Sequence, residues 1–189
     1  MPFTTIYFRE AEAMIKANRM KKNILATLND LDQSLATFHY RGLAVRSVLD
    51  DDGWRANTEN LNILEGRRYQ FKGFWQRIAI EANLYAYEYL WEGLFRLQLG
   101  FDQGKLDAGI LILPGNRSDK SPLGNSIDLV KVEVEALFPT ISLPVAVALF
   151  EVGVTSLADD AVKPLPQPDQ TKEMYHEPDI QPEVMEAAI

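Results

Sequence analysis

Three short apolar runs constrain the fold of this chain more than any other feature of its sequence. They are the run IAI at 78–80, the run LDAGILIL at 106–113 and the run PVAVALF at 144–150. Continuous apolar runs of this length, bounded by glycine, proline or charged residues, are typical of strands buried on both faces of a sheet. The sequence therefore predicts an α/β domain over residues 1–158, with a central mixed sheet flanked by helices.

Helical periodicity and turn signals complete the prediction of elements. The segment RYQFKGFWQRIAIEAN predicts two strands joined by a hairpin at Lys72 and Gly73. Apolar residues at steps of three and four predict helices over residues 8–31, 43–49, 84–100 and 127–137. Within the third of these, Glu92 and Arg96 are spaced for an ion pair. Its dense aromatic residues favour a core or dimer interface over a platform for stacking bases.

The last part of the chain differs in composition from the rest. Five of the ten prolines lie between Pro164 and Pro182, among acidic residues, which predicts an acidic, proline-rich tail or arm over residues 159–189. Residues 1–130 hold 16 basic and 16 acidic side chains, whereas residues 131–189 hold 3 and 11. The net charge of −8 thus arises in the last third, and the neutral body can still carry a local basic face that binds phosphate groups.

Composition also limits the chemistry. The chain has no cysteine and two histidines, which excludes disulfides, thiolate metal sites and cysteine nucleophiles, and leaves carboxylates as the candidates for catalysis. The sequence lacks an apolar run of 18 residues and a signal-peptide pattern, so we expect a cytoplasmic protein without a membrane partner.

Two acidic features are candidate metal sites. Glu81 directly follows the apolar strand at 78–80, and a carboxylate at the end of a buried strand is well placed to hold a metal. An ordinary exposed glutamate at a strand end is equally compatible with this position. The run Asp50-Asp51-Asp52-Gly53 is better explained as a solvated turn than as a metal site.

The order of several blocks resembles the restriction endonucleases of the BglII/BstYI type, within the PD-(D/E)XK nuclease fold. These blocks are DDGW, RRYQFKGFWQRIAIEAN, LYAYEYLW, FDQGKLDAGILILPGN and PVAVALFEV. The likeness extends from about residue 53 to residue 152, about half of the chain. The resemblance implies a restriction-endonuclease-like domain that hydrolyses phosphodiester bonds in duplex DNA with Mg²⁺, as a homodimer.

The resemblance also implies roles for individual residues. Glu81 falls on the glutamate of the family's catalytic strand, and Asn83 falls two residues later, where the family uses glutamate, glutamine or lysine. The family's aspartate on the first hairpin strand has no match, because Gln70 or Lys72 stands there. Glu65 is the candidate to replace this aspartate as a metal ligand beside Glu81, although a loop glutamate that faces water explains this position better. The catalytic motif is therefore degraded.

Basic residues around the hairpin are the implied DNA contacts. They are Arg67, Arg68 and Arg77, and the scissile phosphate would lie near Arg77 or Lys72. Three interpretations remain open: a divergent Mg²⁺-dependent nuclease, a DNA-binding or assembly subunit that has kept the fold and lost cleavage, and an α/β protein of unrelated role.

Overall fold

The apolar runs form the middle of a five-stranded mixed sheet. The structure is a computed structural model that describes residues 3–38, 40–64, 69–115 and 126–152. Its strands are β1 (Phe3–Phe8), β2 (Gly73–Trp75), β3 (Ile78–Ala82), β4 (Ala108–Pro114) and β5 (Val145–Phe150). Its helices are α1 (Ala11–Ala17), α2 (Lys21–Leu35), α3 (Arg41–Asp51), α4 (Tyr89–Asp102) and α5 (Ser126–Ala136). The predicted α/β class with a central mixed sheet flanked by helices is confirmed.

The sheet has the strand order β1-β5-β4-β3-β2. The three central strands β3, β4 and β5 run parallel, and the two edge strands β1 and β2 run antiparallel to their neighbours. The side chains of β3, β4 and β5 are buried on both faces except at Pro114, as their continuous apolar runs require. The carboxyl ends of three strands therefore meet at one edge of the sheet.

Each face of the sheet carries its own apolar layer. Ile78, Ile80 and Ile110 pack with the apolar residues of α1, α2 and α3. On the other face, Ala79 and Leu111 pack with α4 and α5. Because successive side chains of a strand alternate between faces, Glu81 shares the α4 face with Ala79. The Glu81 side chain therefore lies on the side of the sheet that α4 covers.

The first predicted helix is wrong in its bounds. Residues 8–31 do not form one helix, since β1 ends at Phe8 and the chain turns between α1 and α2. Arg19 there has a φ of 58°, and the side chain of Asn18 donates a hydrogen bond to the carbonyl of Met14. This left-handed backbone ends the helix, although the apolar spacing continues past it. The strand β1 itself was not predicted.

The hairpin turn lies at Gln76 and Arg77 rather than at Lys72 and Gly73. Gln76 and Arg77 both have positive φ, at 45° and 64°, and the amide of Lys72 already donates to the carbonyl of Ile80. Gly73 serves packing instead, because a Cβ there would lie 2.9 Å from the Cβ of Trp54. The glycine that suggested a turn is thus explained by a close approach.

The described elements belong to a unit that extends over Met1–Val154, with Thr155–Ile189 forming a second unit. The tail predicted for residues 159–189 lies outside the described residues. Among the described residues, no helix is long and apolar enough to cross a membrane.

Candidate functional site

Glu81 lies at the end of β3 and is fully buried, at 0% exposure. Its two carboxylate oxygens have different partners, and both partners come from α4. The hydroxyl of Tyr89 donates to Oε2 at 2.7 Å, and Nε of Arg96 donates to Oε1 at 3.0 Å. Tyr89 and Arg96 are seven residues apart, which places both on one face of the helix. The strand carboxylate is therefore held by a helix.

The charges of this cluster depend on one another. Burial raises the pKa of the Glu81 carboxyl, and the nearby Arg96 opposes that shift by favouring the charged form. Burial, followed by the Glu81 charge, raises the pKa of the Tyr89 phenol above its ordinary value, so the hydroxyl remains a donor. Burial alone would lower the pKa of Arg96, but attraction to Glu81 raises it. Arg96 stays charged and serves as the counter-ion of Glu81.

Arg96 also connects the cluster to the segment before β2. Its Nη2 group donates to the carbonyl of Gln70, and Nη1 lies 3.5 Å from a carboxylate oxygen of Glu92. The predicted pair of Glu92 and Arg96 is confirmed, although the buried partner of Arg96 is Glu81. All three guanidinium nitrogens therefore have protein partners.

Asn83 and Gln70 use their amides within the protein. Oδ1 of Asn83 accepts from the backbone amides of Tyr85 at 2.9 Å and Ala86 at 3.1 Å, a local turn that delays the start of α4 to Tyr89. Nε2 of Gln70 donates to Oδ1 of Asn62 at 3.0 Å. The predicted helix start at residue 84 is therefore wrong, because this turn intervenes.

These residues do not fit a Mg²⁺ site of the kind that the resemblance implies. Such a site needs several free oxygen ligands, usually with more than one carboxylate. Glu81 directs both oxygens at donors, and Asn83 directs its oxygen at two amides. Among the described residues, no group of three His, Asp or Glu side chains is placed to hold a metal. Glu65 lies outside the described residues.

The predicted basic residues are separated. Lys72 and Arg77 lie at opposite ends of the hairpin, because Lys72 precedes β2 and Arg77 belongs to its turn. Arg77 forms an ion pair with Asp107 at 2.8 Å. Arg67 and Arg68 lie outside the described residues. Lys72 therefore lies near Gln70 and Asn83, whereas Arg77 lies at the other end of the hairpin.

A cleft of about 500 Å³ opens at the carboxyl end of β3. Its walls come from α3, from Arg55, from residues 70–72, from residues 82–85 and from Arg96 of α4. Gln70, Lys72 and Asn83 all line it, so the structure brings three of the predicted site residues together. This position, beyond the carboxyl end of a parallel strand, is where open α/β sheets commonly bind ligands.

The cleft is cationic. Five basic side chains line it, and no acidic side chain of the described residues does so. The five are Arg41, Arg46, Arg55, Lys72 and Arg96. Their carboxylate partners lie outside the lining. Asp50 accepts from Nε of Arg55 at 2.9 Å and lies 3.6 Å from Nε of Arg46, and Arg96 pairs with Glu81 and Glu92. The cleft therefore presents an excess of positive charge.

Four of these five cations were not predicted as site residues. Arg41 and Arg46 lie on α3, Arg55 follows its C-terminus, and Arg96 lies on α4. Only the fold brings these distant positions together. One signal was available for Arg96, because an inward-facing glutamate on a buried strand requires a cation on the helix that covers it.

The structure also describes two other predicted features, the acidic run at residues 50–53 and the aromatic helix α4. Asp50 pairs with arginines and, with Asp51, ends α3, so only Asp52 and Gly53, whose φ is 81°, lie in the expected turn. On α4, Leu90 and Leu94 are buried, whereas Trp91 and Phe95 are about half exposed. The aromatic helix is thus partly core, and the homodimer stays a prediction.

Comparison with protein-family models, with curated proteins and with solved structures finds no match to this chain.

Proposed function

We propose that the protein binds the phosphate groups of duplex DNA through the cationic cleft and does not hydrolyse them by a metal-dependent mechanism. The observation that carries this proposal is the lining of the cleft by five basic side chains with no described acidic one. Binding of phosphates depends on such a local field rather than on the net charge of the chain.

Two of the cations are well suited to contact phosphate. Lys72 is exposed, and within the described part of the chain its ammonium has no hydrogen-bond or ion-pair partner. Arg46 is exposed, and its ion pair with Asp50 is long, at 3.6 Å. An exposed pair of this kind contributes about 0–1 kcal/mol, so a phosphate can replace Asp50 at small cost.

The arrangement of Glu81 favours binding without cleavage over the divergent nuclease. A metal-binding carboxylate needs an accessible oxygen, whereas Glu81 is buried and both of its oxygens accept hydrogen bonds. Releasing it would leave Arg96 without its buried counter-ion.

A gel-shift experiment with the full chain tests the proposal. We expect Lys72→Gln and Arg46→Gln to weaken binding to a short blunt duplex, each lowering the slope of log affinity against log salt by about 1. The matched controls are Lys22→Gln and Arg19→Gln, which remove the same charges from exposed side chains outside the cleft. An equal loss in the controls, or no binding by the unmodified chain, would contradict the proposal.

A second arm tests cleavage. We expect no Mg²⁺- or Mn²⁺-dependent cutting of the duplex by the unmodified chain. Metal-dependent cutting that disappears in Glu81→Ala would instead establish the nuclease interpretation.

A further inference from the structure

The cleft is apolar beneath its charged rim. Val45 and Leu49 of α3 line it together with Leu84, and these three side chains are at most 6% exposed. A DNA backbone that contacted only the basic side chains of the cleft would not contact these apolar side chains, which we call the floor. An apolar floor below several cations suits a ligand that has one flat apolar part and one anionic part.

The volume limits the size of this ligand. About 500 Å³ lies within the range of roughly 300–1,000 Å³ that holds a small organic molecule. A double helix is far too large to enter, and a paired base is covered by its neighbours above and below. Only a nucleotide that is outside the helix stack can place its base on the floor.

A fixed aromatic ring stands in the wall of the cleft. Tyr85 is 55% exposed, and its hydroxyl accepts from the amide of Gly42 at 3.4 Å. The guanidinium of Arg41 lies 5.7 Å from the ring centroid. The backbone amide of Tyr85 also donates to Oδ1 of Asn83. An exposed ring held in this way is a stacking surface for a base.

Two cations that line the same cleft as this ring are arranged to hold a phosphate. Arg55 donates from Nε to Asp50 and from Nη1 to the carbonyl of Lys72 at 2.7 Å, which orients its guanidinium. Within the described residues, Nη2 of Arg55 and Nζ of Lys72 have no protein partner. An oriented arginine next to a lysine is a common way to bind a phosphate group.

We infer that the cleft holds one unpaired nucleotide, with its base against Tyr85 and the apolar floor and its phosphate at Arg55 and Lys72. This inference rests on the proposed function, since it specifies which part of a nucleic acid enters the same cleft. The nucleotide is either the unpaired end of a DNA strand or a free nucleoside monophosphate, which share this chemistry.

Three ligands separate these sources by competition against a labelled duplex with a single-stranded overhang. The first is a relaxed, covalently closed circular duplex that contains the same sequence, so that it has neither a free strand end nor an unpaired loop. The second is deoxyadenosine monophosphate, and the third is deoxyadenosine, which lacks the phosphate. We expect the overhang duplex to bind about 10-fold more tightly than the closed duplex. We also expect the monophosphate, but not the nucleoside, to compete.

Variants of Tyr85 test the role of the ring. We expect Tyr85→Leu to weaken binding of the overhang duplex about 10-fold and to leave the closed duplex unchanged, whereas Tyr85→Phe keeps the ring and the affinity. Tyr7→Leu, at a tyrosine that is 42% exposed and does not line this cleft, is the matched control. Urea denaturation of each variant verifies that the chain is folded.

The outcomes distinguish the inference from the proposed function. If the closed duplex binds as tightly as the overhang duplex and the monophosphate does not compete, DNA binding stands and the inference fails. If the monophosphate binds and neither duplex does, the nucleotide site stands and DNA binding fails. If none of these ligands binds, both fail.

Discussion

Removing the guanidinium of Arg96 has an effect that can be worked out from the structure. In Arg96→Leu, Glu81 stays fully buried and keeps only the hydrogen bond from Tyr89. The carbonyl of Gln70 also loses its donor. Leaving one member of a buried ion pair without its partner costs about 3–5 kcal/mol of unfolding free energy. We expect a loss of that size at neutral pH, measured by urea denaturation of the full chain.

The pH dependence of this loss identifies its cause. Burial raises the pKa of Glu81 and the charge of Arg96 lowers it. Removing Arg96 therefore raises the pKa of Glu81 in the folded chain further above its unfolded value. A carboxyl group with a raised folded pKa contributes stability that is full below the unfolded pKa, about 4.3, and is lost as the pH rises through the folded pKa. The cost of Arg96→Leu should therefore be small near pH 4.5 and grow towards neutral pH.

A double-mutant cycle completes the test. Because apolar residues in place of a buried pair are often neutral or stabilising, the double variant Glu81→Leu with Arg96→Leu should recover much of the loss. Arg46→Leu is the matched control for an exposed pair and should change stability by about 0–1 kcal/mol. A loss for Arg96→Leu that is independent of pH, together with additive single effects, would refute this account of the cluster.

Two further substitutions test the packing around the site. Gly73→Ala places a Cβ 2.9 Å from the Cβ of Trp54, and we expect this overpacking to lower the unfolding free energy by about 1–3 kcal/mol, measured by urea denaturation followed by tryptophan fluorescence. Gln98→Leu removes the acceptor of the backbone amides of Ser142 at 2.8 Å and Leu143 at 2.9 Å, and we expect a loss of about 2–4 kcal/mol by the same assay, with faster hydrogen exchange at both amides.

The sequence predicted the central strands well, because their position follows from burial on both faces. The runs at 106–113 and 144–150 correspond to β4 and β5 within two residues at each end. Helix α5 was also predicted closely, from its apolar spacing. The mixed sheet flanked by helices followed from the alternation of these elements.

Turns and helix starts were less predictable, because they depend on individual contacts. The turn at Gln76 and Arg77 uses positive φ angles without glycine, and Gly73 lies where the chain meets Trp54. The start of α4 is delayed by the side chain of Asn83. None of these contacts leaves a periodic pattern in the sequence.

The candidate site was predicted only in part. Glu81 was identified from the end of a buried strand, whereas Asn83, Gln70 and Lys72 were implied by the family resemblance. The last three line the cleft, and Glu81 is buried and does not line it. The cations of the wall could not be predicted, because they come from separate elements that only the tertiary fold assembles.

Arg96 belongs both to the buried cluster under β3 and to the wall of the cleft. A molecule bound in that cleft therefore contacts the Arg96 guanidinium, which also joins α4 to β3 through Glu81. Because coupled equilibria are reciprocal, a ligand that binds Arg96 in the cleft also opposes local unfolding at the carboxyl end of β3. Occupancy of the cleft and resistance of the chain to heat and proteolysis should rise together, and neither can be tuned through Arg96 without changing the other.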